Sequence, residues 1–258
     1  MIKLTPTILF TLLLGAYALI TLILRFSQDI LIHALVIGIV FSLVFIISRK
    51  LLKKKFSGVH IVISALILFL LVSPGSTLKD HLFIGLIGAL FLGFKFLRYK
   101  SMPIVNPIVL ALIAAYFVTK LFSEYILISW WGTAYLNGVS IFFLLPAVGY
   151  AIYKFRKYGV FFSFFVAYSI VSLLSGQGIL PVITNGTWYF LAGVMLLEPK
   201  TSPVKLRDQV WFGGAAGILA FVFLKYDILS PLLLSIAAVN ALFLLQKVMR
   251  SRASGIQA

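Results

Sequence analysis

The chain has no cysteine, which excludes disulfides, thiolate metal sites and cysteine ligation of an iron–sulfur cluster by this chain. It is nearly as poor in acid. Six Asp and Glu stand against 22 Lys and Arg in 258 residues, and charged residues of both signs make up only 11% of the chain. A soluble domain is roughly a quarter charged, so there is too little charge here to clothe a water-facing surface. Also lacking are a glycine-rich nucleotide loop, a catalytic triad motif and paired catalytic carboxylates. The three histidines, His33, His60 and His81, show no paired metal-ligand spacing. No catalytic set and no metal set emerges, so any redox chemistry would belong to a bound cofactor and to partner subunits.

What is present is apolar. Hydrophobic residues make up 62% of the chain and the mean hydropathy is +1.13. A spanning helix needs about 20 mostly apolar residues. Ten candidate spans follow, near 7–25, 30–48, 58–73, 81–97, 106–123, 137–154, 159–177, 186–198, 210–224 and 228–246. The first lacks a small-residue cleavage site and reads as a retained helix. The net charge of +16 does not point to nucleic acid, because the basic residues sit in short clusters between apolar runs. With the N-terminus inside, 18 of the 22 Lys and Arg fall on the cytoplasmic side and four, Arg25, Lys79, Lys120 and Lys225, fall outside. That bias predicts a multi-pass protein of the cell membrane with both termini cytoplasmic and the lipid bilayer as its solvent.

The chain also repeats itself. Ser73-Pro74-Gly75 leading to Asp80 and Gly85 resembles Glu198-Pro199-Lys200-Thr201-Ser202-Pro203 leading to Asp208 and Gly213. Both the aspartates and the glycines are 128 positions apart. Phe94–Tyr99 matches Phe221–Tyr226 at an offset of 127, and Asn106-Pro107 matches Ser230-Pro231 at 124. The expectation is an all-α membrane protein of about ten helices. It forms one integral domain of two five-helix repeats, residues 1–128 and 129–258, inverted because five is odd. Inverted repeats place binding sites at their interface near the membrane midplane.

Leu197-Glu198-Pro199-Lys200-Thr201-Ser202-Pro203 resembles the T-D-P-x-T-S-P signature of a flavin-carrying membrane family. That family comprises the D subunit of the Rnf electron-transport complex and the B subunit of the sodium-pumping NADH:quinone reductase. Ser73-Pro74-Gly75 is similar to its first-half element, and Met102–Pro107 to its N-P-F-N-P-A segment, reduced to one Asn-Pro. The resemblance implies a membrane subunit of an oxidoreductase complex, working beside other membrane subunits and coupled to Na+ or H+. It also implies FMN held on a threonine of an S/T-G-A-T motif. The corresponding region here reads Gly132-Thr133-Ala134, so Thr133 is the candidate attachment residue and a non-covalent flavin stays open. Asn106 and Pro107 correspond to a segment near a riboflavin site. The same fold resembles urea-type channels, so two alternatives stand beside it: a small-solute or ion transporter or channel, and a flavin-free assembly subunit.

The candidate cofactor contacts are therefore Thr133, Gly132 and Trp131, then Asn106 and Pro107, then Glu198, Pro199, Thr201 and Ser202. Trp130, Trp131 and Tyr135 also fit an aromatic belt at the headgroups. Asp80 and Asp208 fit loop ion pairs with their neighbours Lys79 and Arg207. His33, inside the second span, is a functional candidate because ionisable groups at membrane depth are costly. Asn185-Gly186-Thr187 matches a glycosylation sequon, a pattern short enough to recur by chance.

Overall fold

The computed structural model describes residues 5–50, 57–99, 102–103, 105–121, 128, 130–134, 139–198, 201–228 and 230–253. Among these the architecture is all-α, apart from a two-residue antiparallel pair of β1 (Arg98–Tyr99) and β2 (Met102–Pro103). Pro199 and Tyr135, and the side chain of Trp131, lie outside the described residues.

The helices start and stop where local chemistry directs. α1 (Pro6–Leu24) opens on Thr5, whose Oγ1 accepts from the Ile8 N–H, with Pro6 at the first helical position. α2 (Gln28–Lys50) carries Asp29 in its first turn and Arg49 and Lys50 in its last, each sign matched to the helix dipole. α3 (Gly58–Leu71) stops at extended Val72, ahead of Pro74. α4 (Leu78–Phe94) begins with a capping box, in which Asp80 accepts from the Thr77 N–H at 3.0 Å and Thr77 Oγ1 accepts from the Asp80 N–H at 3.3 Å. Asp80 thus caps its own helix. α5 (Pro107–Leu121) is capped by Asn106, whose Oδ1 accepts from the Ile108 N–H at 3.0 Å.

The second part of the chain holds α6 (Trp131–Ala134), α7 (Val139–Phe155), α8 (Tyr158–Leu174), α9 (Leu180–Thr184), α10 (Gly186–Phe190), a π-turn (Leu191–Met195), α11 (Leu206–Lys225) and α12 (Pro231–Ala253). The run expected over 186–198 starts at Gly186 as α10 and continues into the π-turn. Asn185, the sequon asparagine, is an N-cap whose Oδ1 accepts from the Thr187 N–H at 2.9 Å, and it separates α9 from α10. Asp208 does not pair with its neighbour; it takes Arg250 of α12 at 3.0 Å, tying α11 to α12.

The packing plan recurs. α1 packs on α3, α2 on α3 and α4, and α4 on α5; α7 packs on α10 and the π-turn, α8 on the π-turn and α11, and α11 on α12. α1 meets α7, and α5 meets α12. The tightest seam joins α8 to α11. Gly213 and Gly217 stand one turn apart on α11, and a Cβ at either would collide with the Val160 or Phe164 carbonyl. Small residues at this spacing let two backbones approach closely.

Large apolar side chains such as Leu12, Ile23, Leu35, Ile39, Phe142 and Phe162 cover the outside. Among the described residues, three helices are long and apolar enough to cross a membrane: Pro6–Leu24, Gln28–Lys50 and Pro231–Arg250. Gly58–Leu71, Pro107–Leu121, Phe142–Phe155 and Tyr158–Leu174 are apolar but shorter.

Candidate functional site

The sequence-derived candidates fall at three places. The first is a knot of hydroxyls in the core. Beyond α5, Ile128 bridges to Val72, and the Trp130 N–H donates to the Leu71 carbonyl at 3.0 Å. Trp130 adopts φ +53°, uncommon for a bulky residue, and the chain turns there into α6. Gly132 sits so close to Leu70 that no Cβ fits. Its carbonyl accepts from the Tyr17 hydroxyl at 2.6 Å. Thr133 is fully buried; its Oγ1 donates to the Trp130 carbonyl at 2.9 Å and lies 3.2 Å from Thr187 Oγ1. Side chains from α1, α6 and α10 thus converge beside the end of α3. The aromatic-belt expectation fails for Trp130, which is buried with its ring edge-to-face on Phe190, because its backbone is tied to α3.

The second place is the start of α5. Asn106 and Pro107 are buried, and the Asn106 Oδ1 is occupied as the helix cap.

The third is the segment around Glu198, and it is built most heavily. Glu198 ends the helical run from Gly186, and its carbonyl accepts from the Thr201 N–H at 3.2 Å, the Ser202 N–H at 3.1 Å and Ser202 Oγ at 2.8 Å. Thr201 Oγ1 donates to Glu198 Oε2 at 3.4 Å. Thr201 and Ser202 are both buried. Behind them stands Lys157, only 3% exposed at the start of α8, which donates to the Ser202 carbonyl at 3.1 Å and the Pro203 carbonyl at 2.5 Å. Burial pulls its ammonium down to about 8. Gln209 of α11 completes the brace. Its Nε2 donates to the Arg156 and Val204 carbonyls at 2.9 and 2.8 Å, and its Oε1 accepts from the Gly159 N–H at 3.1 Å.

Sequence reasoning missed Lys157 and Gln209. Lys157 entered it only as one cytoplasmic cation among several, and no spacing links position 157 to position 202. Gln209, a polar residue near the start of an apolar run, was the one available signal.

The first and third places are not one pocket. Thr187 and Glu198 lie at opposite ends of the run from α10 through the π-turn, roughly 15 Å apart at 1.5 Å per residue. Among the described residues no group of three or more His, Asp or Glu could hold a metal ion. No family model matches the chain, and no curated protein is similar to it.

Proposed function

We propose that the chain is a multi-pass membrane subunit built from two inverted five-helix repeats, and that it holds a flavin non-covalently within an ion-coupled electron-transport complex resembling the Rnf and sodium-pumping NADH:quinone reductase complexes. Three features support the scaffold. The helix contacts of residues 6–121 recur in residues 139–253. α4 and α11 open 128 positions apart, the same offset that relates Asp80 to Asp208. The contacts between the parts, α1 with α7 and α5 with α12, join helices that hold equivalent places in the two repeats.

The observation that carries the functional reading is the Glu198–Pro203 element. It is the most specific motif in the sequence, its Thr201 and Ser202 are buried, and its Ser202 and Pro203 carbonyls are held by a buried lysine. A surface turn of no function has no call for a buried cation, which costs free energy to desolvate. Thr133 supports non-covalent binding, because a phosphoester on its Oγ1 would displace its bonds to Trp130 and Thr187 in a site with no exposure.

Protein purified in mild detergent with its partners is expected to show flavin absorption that moves to the supernatant on acid precipitation. Thr133→Ala is expected to retain the flavin. Colour left in the acid pellet and lost in Thr133→Ala would restore covalent attachment. No flavin in folded protein would reject the flavin reading, and solute uptake into proteoliposomes would then favour the transporter.

A further inference from the structure

Two histidines and an aspartate lie where α2, α3 and α4 come together, at the same end of α3 that borders the hydroxyl knot. α2 and α4 pack on each other and α3 packs on α2. His33 meets Phe69 and Phe45 meets Gly58, so α3 runs antiparallel to α2 and its end, from which α4 follows, lies beside the start of α2. His33 is the sixth residue of α2 and His81 the fourth of α4, which puts them roughly 8 and 5 Å below the helix starts. His33 is fully buried, with its ring 5.9 Å from Phe69. Val40 lies against Gly88 across the α2–α4 seam, and the same offset of 48 relates His33 to His81; the Phe69 and Val72 carbonyls, His81 and Asp80 bear on the ring's electrostatics. His81 is half-buried, and its Nδ1 has no hydrogen-bond partner among the described residues. Asp80 is held at the mouth by the Thr77 cap, with Gly75 pressed against its carboxylate.

We infer that His33 is a proton-binding site loaded from the side on which α2 and α4 begin, with His81 as the relay and Asp80 as the collector at the mouth. A proton from solvent adds to one ring nitrogen of His81, and the proton on its other nitrogen passes to the His33 ring. His81 is left neutral and His33 becomes a cation. The end of α3 suits that cation, since the last carbonyls of a helix form the negative end of its dipole. Several described groups bear on His33. α3 offers backbone carbonyls, α4 offers Asp80 and His81 with Lys79 beside them, and α2 itself carries Asp29 one turn earlier. An ionisable ring at membrane depth with an acidic mouth is the pattern of a proton path.

The second part of the chain breaks the pattern at the equivalent place. The offset of 128 that carries Asp80 onto Asp208 carries His81 onto Gln209, which cannot titrate and braces the Glu198–Pro203 element instead. Proton loading is thus confined to one side. The inference stands apart from the flavin reading, and a failure of either leaves the other intact.

The chain has three histidines, so ring-nitrogen NMR of 15N-histidine-labelled protein in nanodiscs resolves each one. On acidification the His33 ring is expected to protonate and exchange with solvent. His81→Gln is expected to slow that exchange about tenfold or more, while His60, at the far end of α3, is unchanged. Asp80→Asn, which retains an amide oxygen for the cap, reads the same path if the histidine variant does not fold, and is expected to slow exchange about threefold. A His33 ring that never protonates, or one that exchanges at the native rate in both variants, would overturn the proposal.

Discussion

Gly213→Ala is expected to destabilise the protein by about 2 kcal/mol, while Gly214→Ala, one position along the same helix, leaves stability unchanged or raises it by up to about 1 kcal/mol. The two changes add the same methyl group to α11. At Gly213 it meets the Val160 carbonyl and Ser163 Oγ of α8 closer than atoms can approach, and backbone cannot turn aside as a side chain can. At Gly214 the nearest atom is Ala167 Cβ at 4.0 Å, so the alanine keeps its helix propensity without a clash. Gly217, against the Phe164 carbonyl, should behave as Gly213 does. Thermal unfolding of the purified variants in one detergent checks the series. Equal behaviour of Gly213 and Gly214 would mean that α8 and α11 do not meet at this seam.

The second large effect belongs to Lys157. Lys157→Met removes the side-chain donor to the Ser202 and Pro203 carbonyls. Leaving a buried acceptor without a partner costs about 1–3 kcal/mol, and relief from burying a charge offsets part of that. A net loss of about 2 kcal/mol is expected. The pH dependence identifies the residue. Its ammonium sits at about 8 in the fold against 10.5 for a free lysine, because burial disfavours the charged form. The unfolded chain therefore binds more protons between those values, and stability rises with pH through that window and is flat below it with respect to this group. Lys157→Met abolishes that rise. Lys157→Arg restores a donor but cannot lose its proton, so it too abolishes the rise. A native pH profile that is flat, or that falls, through the same window would contradict the buried ammonium.

Much of the fold was legible because long apolar runs and their breakers act locally. Thr5, Thr77 and Asn106 announce helix starts through side-chain capping, and Pro6 and Pro107 fix the first turn. The runs near 7–25 and 30–48 became α1 and α2 with boundaries moved by a residue or two. The start of the run at Gly186 was legible, and the carboxamide cap on Asn185 that sets it was not. The candidate sites were legible as motifs and illegible as places. Thr133 and Glu198 both resemble cofactor contacts, yet one lies in the hydroxyl knot and the other at the far end of the α10 run. Tyr17 reaches Gly132 across 115 positions, and Lys157 reaches Ser202 across 45. Long-range pairings of this kind leave no periodicity to read. Trp130 misled for a related reason, since an aromatic after an apolar run resembles a headgroup anchor until its backbone is seen tied to α3.

Inversion of the two repeats is the claim on which the rest of the account depends, and the absence of cysteine makes it directly measurable. Leu78 and Leu206 open α4 and α11 at equivalent positions, and both are well exposed, at 73% and 65%. Each is replaced singly by cysteine in intact cells and treated with a membrane-impermeant maleimide. The account predicts that Leu78→Cys reacts in intact cells and that Leu206→Cys reacts only after the membrane is opened. Labelling of both from the same side would show that the repeats are not inverted and would contradict the account.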